Sequence, residues 1–207
     1  PQMRIYAQDE LRWRRFVLTG SLHNDWFHSH RIAYIMPSDE TQNARQITWR
    51  ASGLYHFDFG LSPYISYSTS FQPQVGTVVT PVSGVYRQAS PSVGKQLEGG
   101  LKYQLPGTTL LVTAAGFHIE QSNVLVAIPP NMDTYTQSGL VHSDGFEFEA
   151  HEEPFRNLML TAAVSVQKIK DDSTNKPLTQ SSKGNASLFA FYTMPSGRLK
   201  GFGFGGG

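Results

Sequence analysis

The chain has 207 residues, a formal net charge of +1 and no cysteine. The near-neutral charge argues against a nucleic-acid-binding surface, and the missing cysteines exclude disulfides and thiolate metal sites. No segment reaches the ~20 consecutive apolar residues that a membrane-spanning helix needs. Aromatic residues make up 12% of the chain and glycine occurs 19 times. Both favour strands and tight turns, so we expect an all-β protein.

Apolar and polar residues alternate along the first half of the chain. The clearest case places Ile47 and Trp49 on one parity and Thr48 and Arg50 on the other. A period of two predicts a strand with one apolar and one polar face. The first four predicted strands cover residues 3–11, 15–26, 46–57 and 63–71.

The same alternation continues in the second half. Six further strands are predicted at residues 95–104, 109–121, 134–150, 157–170, 185–193 and from 199 onward. In the seventh strand His142 and Asp144 fall on the apolar parity. Either a bulge near Gly145 or a strand that rises clear of a membrane would explain this.

The connections between these strands alternate between short and long. Short turns are expected at residues 12–14, 58–60, 106–107, 152–156 and 195–197, and longer polar connections, including 27–45 and 72–94, lie between them. Such a rhythm is typical of an antiparallel, up-and-down transmembrane β-barrel with short periplasmic turns and long extracellular loops. We predict that residues 1–207 form one partial barrel domain, an internal piece of a longer protein, with open edges at the first and last strands.

The parity of each strand predicts which side chains face lipid and which face the lumen. The residues expected to face lipid are Trp49, Ile65, Leu101, Phe117, Phe148 and Leu160. Those expected to face the lumen are Arg50, Ser66, Lys102, Glu120, Glu149 and Thr161.

Aromatic residues form two groups along the predicted barrel. Those near the short turns are Trp13, Tyr55, Phe57, Tyr103, Phe155 and Tyr192, and they predict a periplasmic girdle. Those near the long loops are Trp26, Phe27, Tyr34, Phe71, Tyr86 and Tyr135. Some of the second group would form the outer girdle, and others are our candidate ligand-binding residues, since aromatic faces and hydroxyls suit a ligand of mixed polarity.

Three patterns suggest other chemistry, and each has a plainer explanation. His23, Asp25, His28 and His30 could bind a transition metal, but their spacing matches no closed zinc site. Gly201, Gly203 and Gly206 fit a dinucleotide motif without the helix that it requires. Four acidic residues suggest a carboxylate hydrolase but fit lumen-facing polar positions better: Glu147, Glu149, Glu152 and Glu153. We therefore expect no catalytic residue, metal site or resident cofactor.

Five segments resemble TonB-dependent outer-membrane siderophore receptors, closest to the ferrichrome-receptor type. They are residues 47–73, 94–107, 116–125, 142–150 and 186–205, in the order and at the spacing of that family. The resemblance implies a barrel of about 22 strands around an N-terminal plug. It also implies uptake of ferric siderophores, energised through TonB acting on the plug, in a protein that is not an enzyme.

By this resemblance the chain would hold about ten mid-to-late strands, without the plug, the early strands or the C-terminal strands. Its partners would be a ferric siderophore, the TonB complex and outer-membrane lipid, with no nucleic acid. Two alternatives remain open from the residues alone: a passive porin, which shares such a wall, and a soluble β-sandwich binding module.

Overall fold

The computed structural model of the chain describes residues 1–33, 38–80, 84–128, 131–137, 139–172, 176–177 and 183–207. Strands and turns account for this structure, and none of the described residues belongs to a helix that is long and apolar enough to cross a membrane. The strands are β1 (Gln2–Trp13), β2 (Phe16–Ala33), β3 (Ser38–Tyr55), β4 (Leu61–Gln72), β5 (Thr77–Val79), β6 (Tyr86–Gln88), β7 (Ser92–Gln104), β8 (Leu111–Ser122), β9 (Leu125–Ile128), β10 (Asn131–Gln137), β11 (Leu140–Phe155), β12 (Leu158–Asp171), β13 (Lys176–Pro177), β14 (Gly184–Thr193) and β15 (Gly203–Gly206).

Ten of these strands form one antiparallel sheet. Their order is β1-β2-β3-β4-β7-β8-β11-β12-β14-β15, and β13 pairs with β12 beside this path. The sheet does not close, so β1 and β15 are its edges, as expected for part of a barrel. The all-β, up-and-down prediction is therefore confirmed.

Because neighbouring strands run antiparallel, successive connections fall at opposite rims. The five predicted short turns lie at one rim, which we call the short-turn rim. The long connections lie at the other, the long-connection rim, where β5–β6 and β9–β10 form two separate hairpins.

The predicted loop at 27–45 is largely wrong. β2 and β3 continue through it in one register, from Phe27 opposite Ala44 to Ala33 opposite Ser38. Residues 28–31 and 38–43 are polar on both parities, which is what a hairpin surrounded by water rather than lipid would need. The prediction took the end of the alternation as the end of the strand, although the strand continues.

The seventh predicted strand also differs. Its first residues belong to β10, and the strand in the main sheet, β11, begins at Leu140. Of the two explanations offered for His142 and Asp144, the bulge near Gly145 is wrong, because Gly145 pairs regularly with Phe117 and Gln167 and the register shifts only between Glu152 and Phe155. The alternation of β11 is therefore unbroken, and His142 and Asp144 lie beyond the apolar residues on the same face of the strand.

The register assigns every strand of the sheet to two common faces, since directly opposed residues point the same way. Trp49, Ile65, Leu101, Phe148 and Leu160 share the apolar face, and Arg50, Ser66, Lys102, Glu149 and Thr161 share the polar face. Large apolar side chains are exposed on the first, including Trp49 (43%) and Ile65 (59%). Ser66 (5%) and Thr48 (7%) are buried on the second. This inverted burial is expected of a wall whose outer solvent is lipid.

Phe117 and Glu120 are the two exceptions to the predicted facing, because each lies on the face opposite to the one predicted. Phe117 is opposite Glu98 and therefore lies on the polar face, whereas Glu120 is opposite Lys95 on the apolar face. Both parities of β8 are largely apolar, so alternation alone could not decide between them.

A packing contact explains why an aromatic residue occupies the polar face at Phe117. Its ring fills the space where a side chain at Gly145, on the neighbouring strand, would lie. Tyr64 covers Gly100 and Phe191 covers Gly203 in the same way. Aromatic rings that cover glycines across a strand pair help to fix the register of a sheet.

The short-turn rim carries a continuous row of aromatic residues. Phe16 contacts Tyr55 with ring centroids 4.7 Å apart, Tyr55 contacts Phe57 at 4.8 Å, and Phe57 contacts Phe59 at 5.3 Å. An ion pair between Arg15 and Asp58 joins the first two turns of this rim. The row matches the aromatic girdle expected where a barrel leaves the membrane.

The two faces predict an asymmetric response to charge. In the full-length protein, Val164→Lys should lower the free energy of unfolding by about 2–4 kcal/mol, because it places an ammonium group among lipid-facing side chains. Ser165→Lys, one residue later on the polar face, should cost far less. Urea unfolding in lipid vesicles would measure both, and equal losses would contradict the assignment of faces.

Candidate ligand-binding surface

The polar face forms a hydrogen-bonded wall across β3, β4 and β7. Tyr64 donates from its hydroxyl to Glu98 Oε1 (2.7 Å), and Gln96 donates to Glu98 Oε2 (2.8 Å). The Lys102 ammonium lies 5.3 Å from the centre of the Tyr64 ring. Arg50 donates from Nε to Ser66 Oγ (3.2 Å). These groups satisfy one another, so the wall is polar but largely internally paired.

A second polar group lies near the long-connection rim, between β1 and β2. Asp25 is fully buried and accepts from Arg4 Nε at 2.6 Å and from Gln2 Nε2 at 3.1 Å. Its second oxygen and His23 Nδ1 are buried without a hydrogen-bond partner among the described residues. Tyr6 stacks on His23 with ring centroids 5.6 Å apart.

The wall opens where β3 and β4 separate. Their register runs from Leu54 opposite Tyr64 to Arg50 opposite Ser68. Above it Thr69 Oγ1 accepts from Trp49 N (2.8 Å), so a side chain takes the place of the backbone ladder. A cavity of about 560 Å³ lies at this gap, lined by hydroxyl residues together with Arg4, His23 and Arg50.

The long-connection rim is structured and carries little charge between β4 and β11. Residues 72–94 contain one charged side chain, Arg87, and residues 122–139 contain one, Asp133. By contrast, charged residues make up 16% of the whole chain. The hairpins β5–β6 and β9–β10 expose Val85, Tyr86 and Tyr135. The rim therefore offers aliphatic and phenolic surface rather than a charged one.

The five candidate aromatic residues within the described ranges are distributed over both faces of the sheet and the two hairpins. Trp26 and Phe71 lie on the apolar face, which fits the outer girdle, and the Arg45 guanidinium lies 5.4 Å from the centre of a Trp26 ring. Phe27 lies on the polar face, and Tyr86 and Tyr135 are on the two hairpins. Tyr34 lies outside the described residues. A role in ligand binding stays a prediction for these residues.

The other chemical patterns gain no support. The four residues of the suggested metal site do not converge: His23 and Asp25 lie on the polar face, His28 and His30 on the other. Across the described ranges, no group of three or more histidine or acidic side chains is placed to hold a metal ion. The glycine motif suggested for a dinucleotide lies at β15, a strand that pairs with β14. Of the acidic residues suggested for a hydrolase, Glu152 does not share the face of Glu147 and Glu149.

Sequence reasoning missed two features of this surface. One is the pairing of Tyr64 with Glu98, which follows from the register of β4 against β7 rather than from either strand alone. The other is a set of glutamine and asparagine side chains that join the long connections. Their only signal in the sequence was the presence of Gln74, Asn123 and Gln137 in two loops that hold one charged residue each.

The wall and its faces can be compared with known proteins. Residues 2–207 match the model of the TonB dependent receptor-like β-barrel. The chain belongs to the TonB-dependent receptor family. It is 31% identical to the ferrichrome outer membrane transporter/phage receptor of Escherichia coli K12, covering all of this chain and 27% of that protein. It is 30% identical to the ferrioxamine B receptor of Salmonella typhimurium, covering all of this chain and 29% of that protein.

Solved structures agree on the fold of this TonB-dependent receptor segment. The alcaligin outer-membrane receptor of Bordetella pertussis superimposes with a TM-score of 0.71 at 23% identity, over 96% of this chain and 35% of that one. The ferripyoverdine receptor of Pseudomonas aeruginosa gives 0.71 at 20% identity, over 96% and 26%.

Family membership identifies the medium that each face of the sheet contacts. The apolar face is the lipid side of an outer-membrane β-barrel and the polar face is its lumen side. The membership excludes the soluble β-sandwich alternative. The chain spans less than a third of the length of these curated relatives, so it is one part of the barrel that they possess.

Removal of the Tyr64 hydroxyl tests the hydrogen-bonded wall. Tyr64→Phe in the full-length receptor should lower the free energy of unfolding by about 1–3 kcal/mol, because Glu98 loses a hydrogen bond in a sheltered site. Tyr67→Phe is the matched control, since Tyr67 lies on the same strand but faces lipid, beside Trp49. Chemical unfolding of both variants would measure the difference, and equal effects would show that the Glu98 contact contributes nothing.

Proposed function

We propose that the complete protein is an outer-membrane receptor and transporter for ferric siderophores of the hydroxamate class, energised through TonB. The carrying observation is the combination of a barrel wall with two connections, between β4 and β7 and between β8 and β11, that carry almost no charge. The names of the ferrichrome and ferrioxamine B receptors support the substrate class.

The charge of the chelate gives the physical reason for this class. In a ferric tris-hydroxamate the three negative ligand groups cancel the charge of the iron, whereas a ferric tris-catecholate keeps a strong negative charge. A highly charged chelate would be expected to meet a cluster of cationic donors. The connections between β4 and β7 and between β8 and β11 hold a single cation, Arg87, so they suit a neutral chelate with hydrocarbon links and carbonyl oxygens.

The wall and the rim would have different roles in transport. The rim binds a chelate that is too dilute and too bulky for passive entry, and the barrel wall separates its path from lipid. In this proposal the plug lies inside the barrel, and force from TonB opens the path past the polar face. The function is transport without covalent chemistry, so no residue is assigned a catalytic role.

The substrate class can be tested with purified full-length receptor. Ferrichrome and ferrioxamine B should bind at least about tenfold more tightly than a ferric tris-catecholate, and the affinity for ferrichrome, whose charges cancel, should change little with salt, because screening acts on charged ligands. Isothermal titration at low and high ionic strength would measure this. Tighter binding of the catecholate would overturn the hydroxamate assignment.

Uptake of radiolabelled iron by cells distinguishes the receptor from a passive porin. Uptake through the receptor should stop when TonB is deleted, whereas a porin would continue to pass the chelate. Continued uptake without TonB would overturn the proposed mechanism.

The rim tyrosines should matter for binding and the girdle aromatics should not. Tyr86→Ala and Tyr135→Ala should each weaken ferrioxamine B binding by about 5- to 50-fold, the range for truncating an aromatic contact residue. Trp26→Ala and Phe71→Ala are matched controls near the same rim, because both residues face lipid. Equal losses in all four variants would argue for a general effect on folding instead.

A further inference from the structure

One side chain joins three separate segments of the long-connection rim. Gln137, at the end of β10, donates from Nε2 to Gln74 Oε1 (2.6 Å), to the Ser90 carbonyl (2.7 Å) and to the Asn123 carbonyl (3.2 Å). Its Oε1 accepts from Ser90 N (3.0 Å). The amide therefore contacts both ends of the connection between β4 and β7 and the start of the connection between β8 and β11.

The segments around Gln137 are packed rather than loosely placed. Val78 of β5, Ala89 and Ser92 are each at most 3% exposed, and β10 packs against β5. Asn123 donates from Nδ2 to the Pro91 carbonyl (2.9 Å), and Ser92 donates from Oγ to the Ser122 carbonyl (2.7 Å). These contacts make the two hairpins, β5–β6 and β9–β10, one unit, which we call the rim platform.

The rim platform is also fixed to the wall. Gln42 on β3 donates to the Ala89 carbonyl (2.7 Å), and Gln88 donates to the Thr41 carbonyl (3.2 Å). Both contacts lie above the point where β3 leaves β4. The platform thus supports the projecting part of the β2–β3 hairpin at the height where its neighbour in the sheet has turned away.

We propose that Gln137 is a positioning residue that locks the two hairpins into one preformed ligand-binding platform. It presents the exposed Tyr86 and Tyr135 on a common support, although it does not itself contact the chelate. The role in ligand capture rests on the proposed function, whereas the locking of the hairpins does not. If the lock is lost, the hairpins must be ordered during binding, and that cost reduces apparent affinity.

The chemistry of an amide is required at this position. Gln137 must direct its two amide N–H groups at three oxygen acceptors, with one N–H shared between two of them, and accept from one backbone N–H at the same time. A carboxylate of the same shape can accept but cannot donate when ionised. Gln137→Glu would therefore place a negative charge against three oxygens while it leaves the volume almost unchanged.

The first test is hydrogen exchange in the ligand-free, full-length receptor. Gln137→Glu should reduce backbone protection by at least about tenfold in β5–β6 and β9–β10 together, because the two hairpins open as one local unit. Gln104→Glu is the matched control: its amide makes one local bond, to the Thr108 carbonyl, at the opposite rim. A change confined to β10, or no change, would overturn the lock.

The second test measures ligand capture by stopped-flow fluorescence with ferrioxamine B and ferrichrome as probes. Gln137→Glu should slow association by about tenfold or more, as expected when the competent arrangement is less populated. Gln104→Glu should leave the rate unchanged. If the wild-type receptor binds neither probe, the proposed function fails while the exchange result still decides the lock.

A third variant keeps the proposal testable if the charged one folds poorly. Gln74→Ala removes one acceptor and leaves Gln137 intact, so it should weaken protection in both hairpins to a smaller degree. Combined with Gln137→Ala, its effect on exchange should be far less than additive, since both act on one interaction. Additive effects would show that the two glutamines act independently and would overturn the proposal.

Discussion

The structure depends on one constraint: a backbone surrounded by lipid has no water to satisfy its amide and carbonyl groups. The ten-stranded antiparallel ladder meets this constraint by pairing each strand with the next along the chain. It also inverts the usual arrangement of side chains, so that Ile65 is exposed and Ser66 is buried. Where the ladder leaves the apolar band, the constraint ends, and there β3 can separate from β4 and the connections can form hairpins of their own.

The same constraint explains how far the sequence predicts the fold. Alternation is sharp in β3 and β12 because lipid on one side and water on the other act on every second residue. It fails at residues 27–33 and 38–45, where most residues on both parities are polar, as a hairpin beyond the lipid allows. It fails again in β8, where Phe117 covers Gly145 from the polar side and makes both parities look apolar. The first error hid part of a strand, and the second exchanged two faces.

The candidate surface was less predictable because it is built from contacts between distant segments. Proximity to the long loops selected Tyr86 and Tyr135, which lie on the hairpins, but it equally selected Trp26 and Phe71, which the register places toward lipid. Gln137 gave no pattern in the sequence, since its partners lie 14 to 63 residues away. A residue whose role is to join loops can be recognised only once the positions of those loops in the structure are known.

The wall and the rim differ in what they can offer a passing chelate. On the wall, Tyr64, Gln96 and Glu98 already bond to one another, and Arg50 bonds to Ser66. A hydrogen-bonded group gains little by exchanging one partner for another, so such a surface holds a solute weakly. On the rim, the hydrogen bonds of Gln137 join the hairpins, and the exposed side chains include Val85, Tyr86 and Tyr135 together with Arg87. Under the proposed function, discrimination would therefore belong to the rim, and the wall would let the bound chelate pass once it is released.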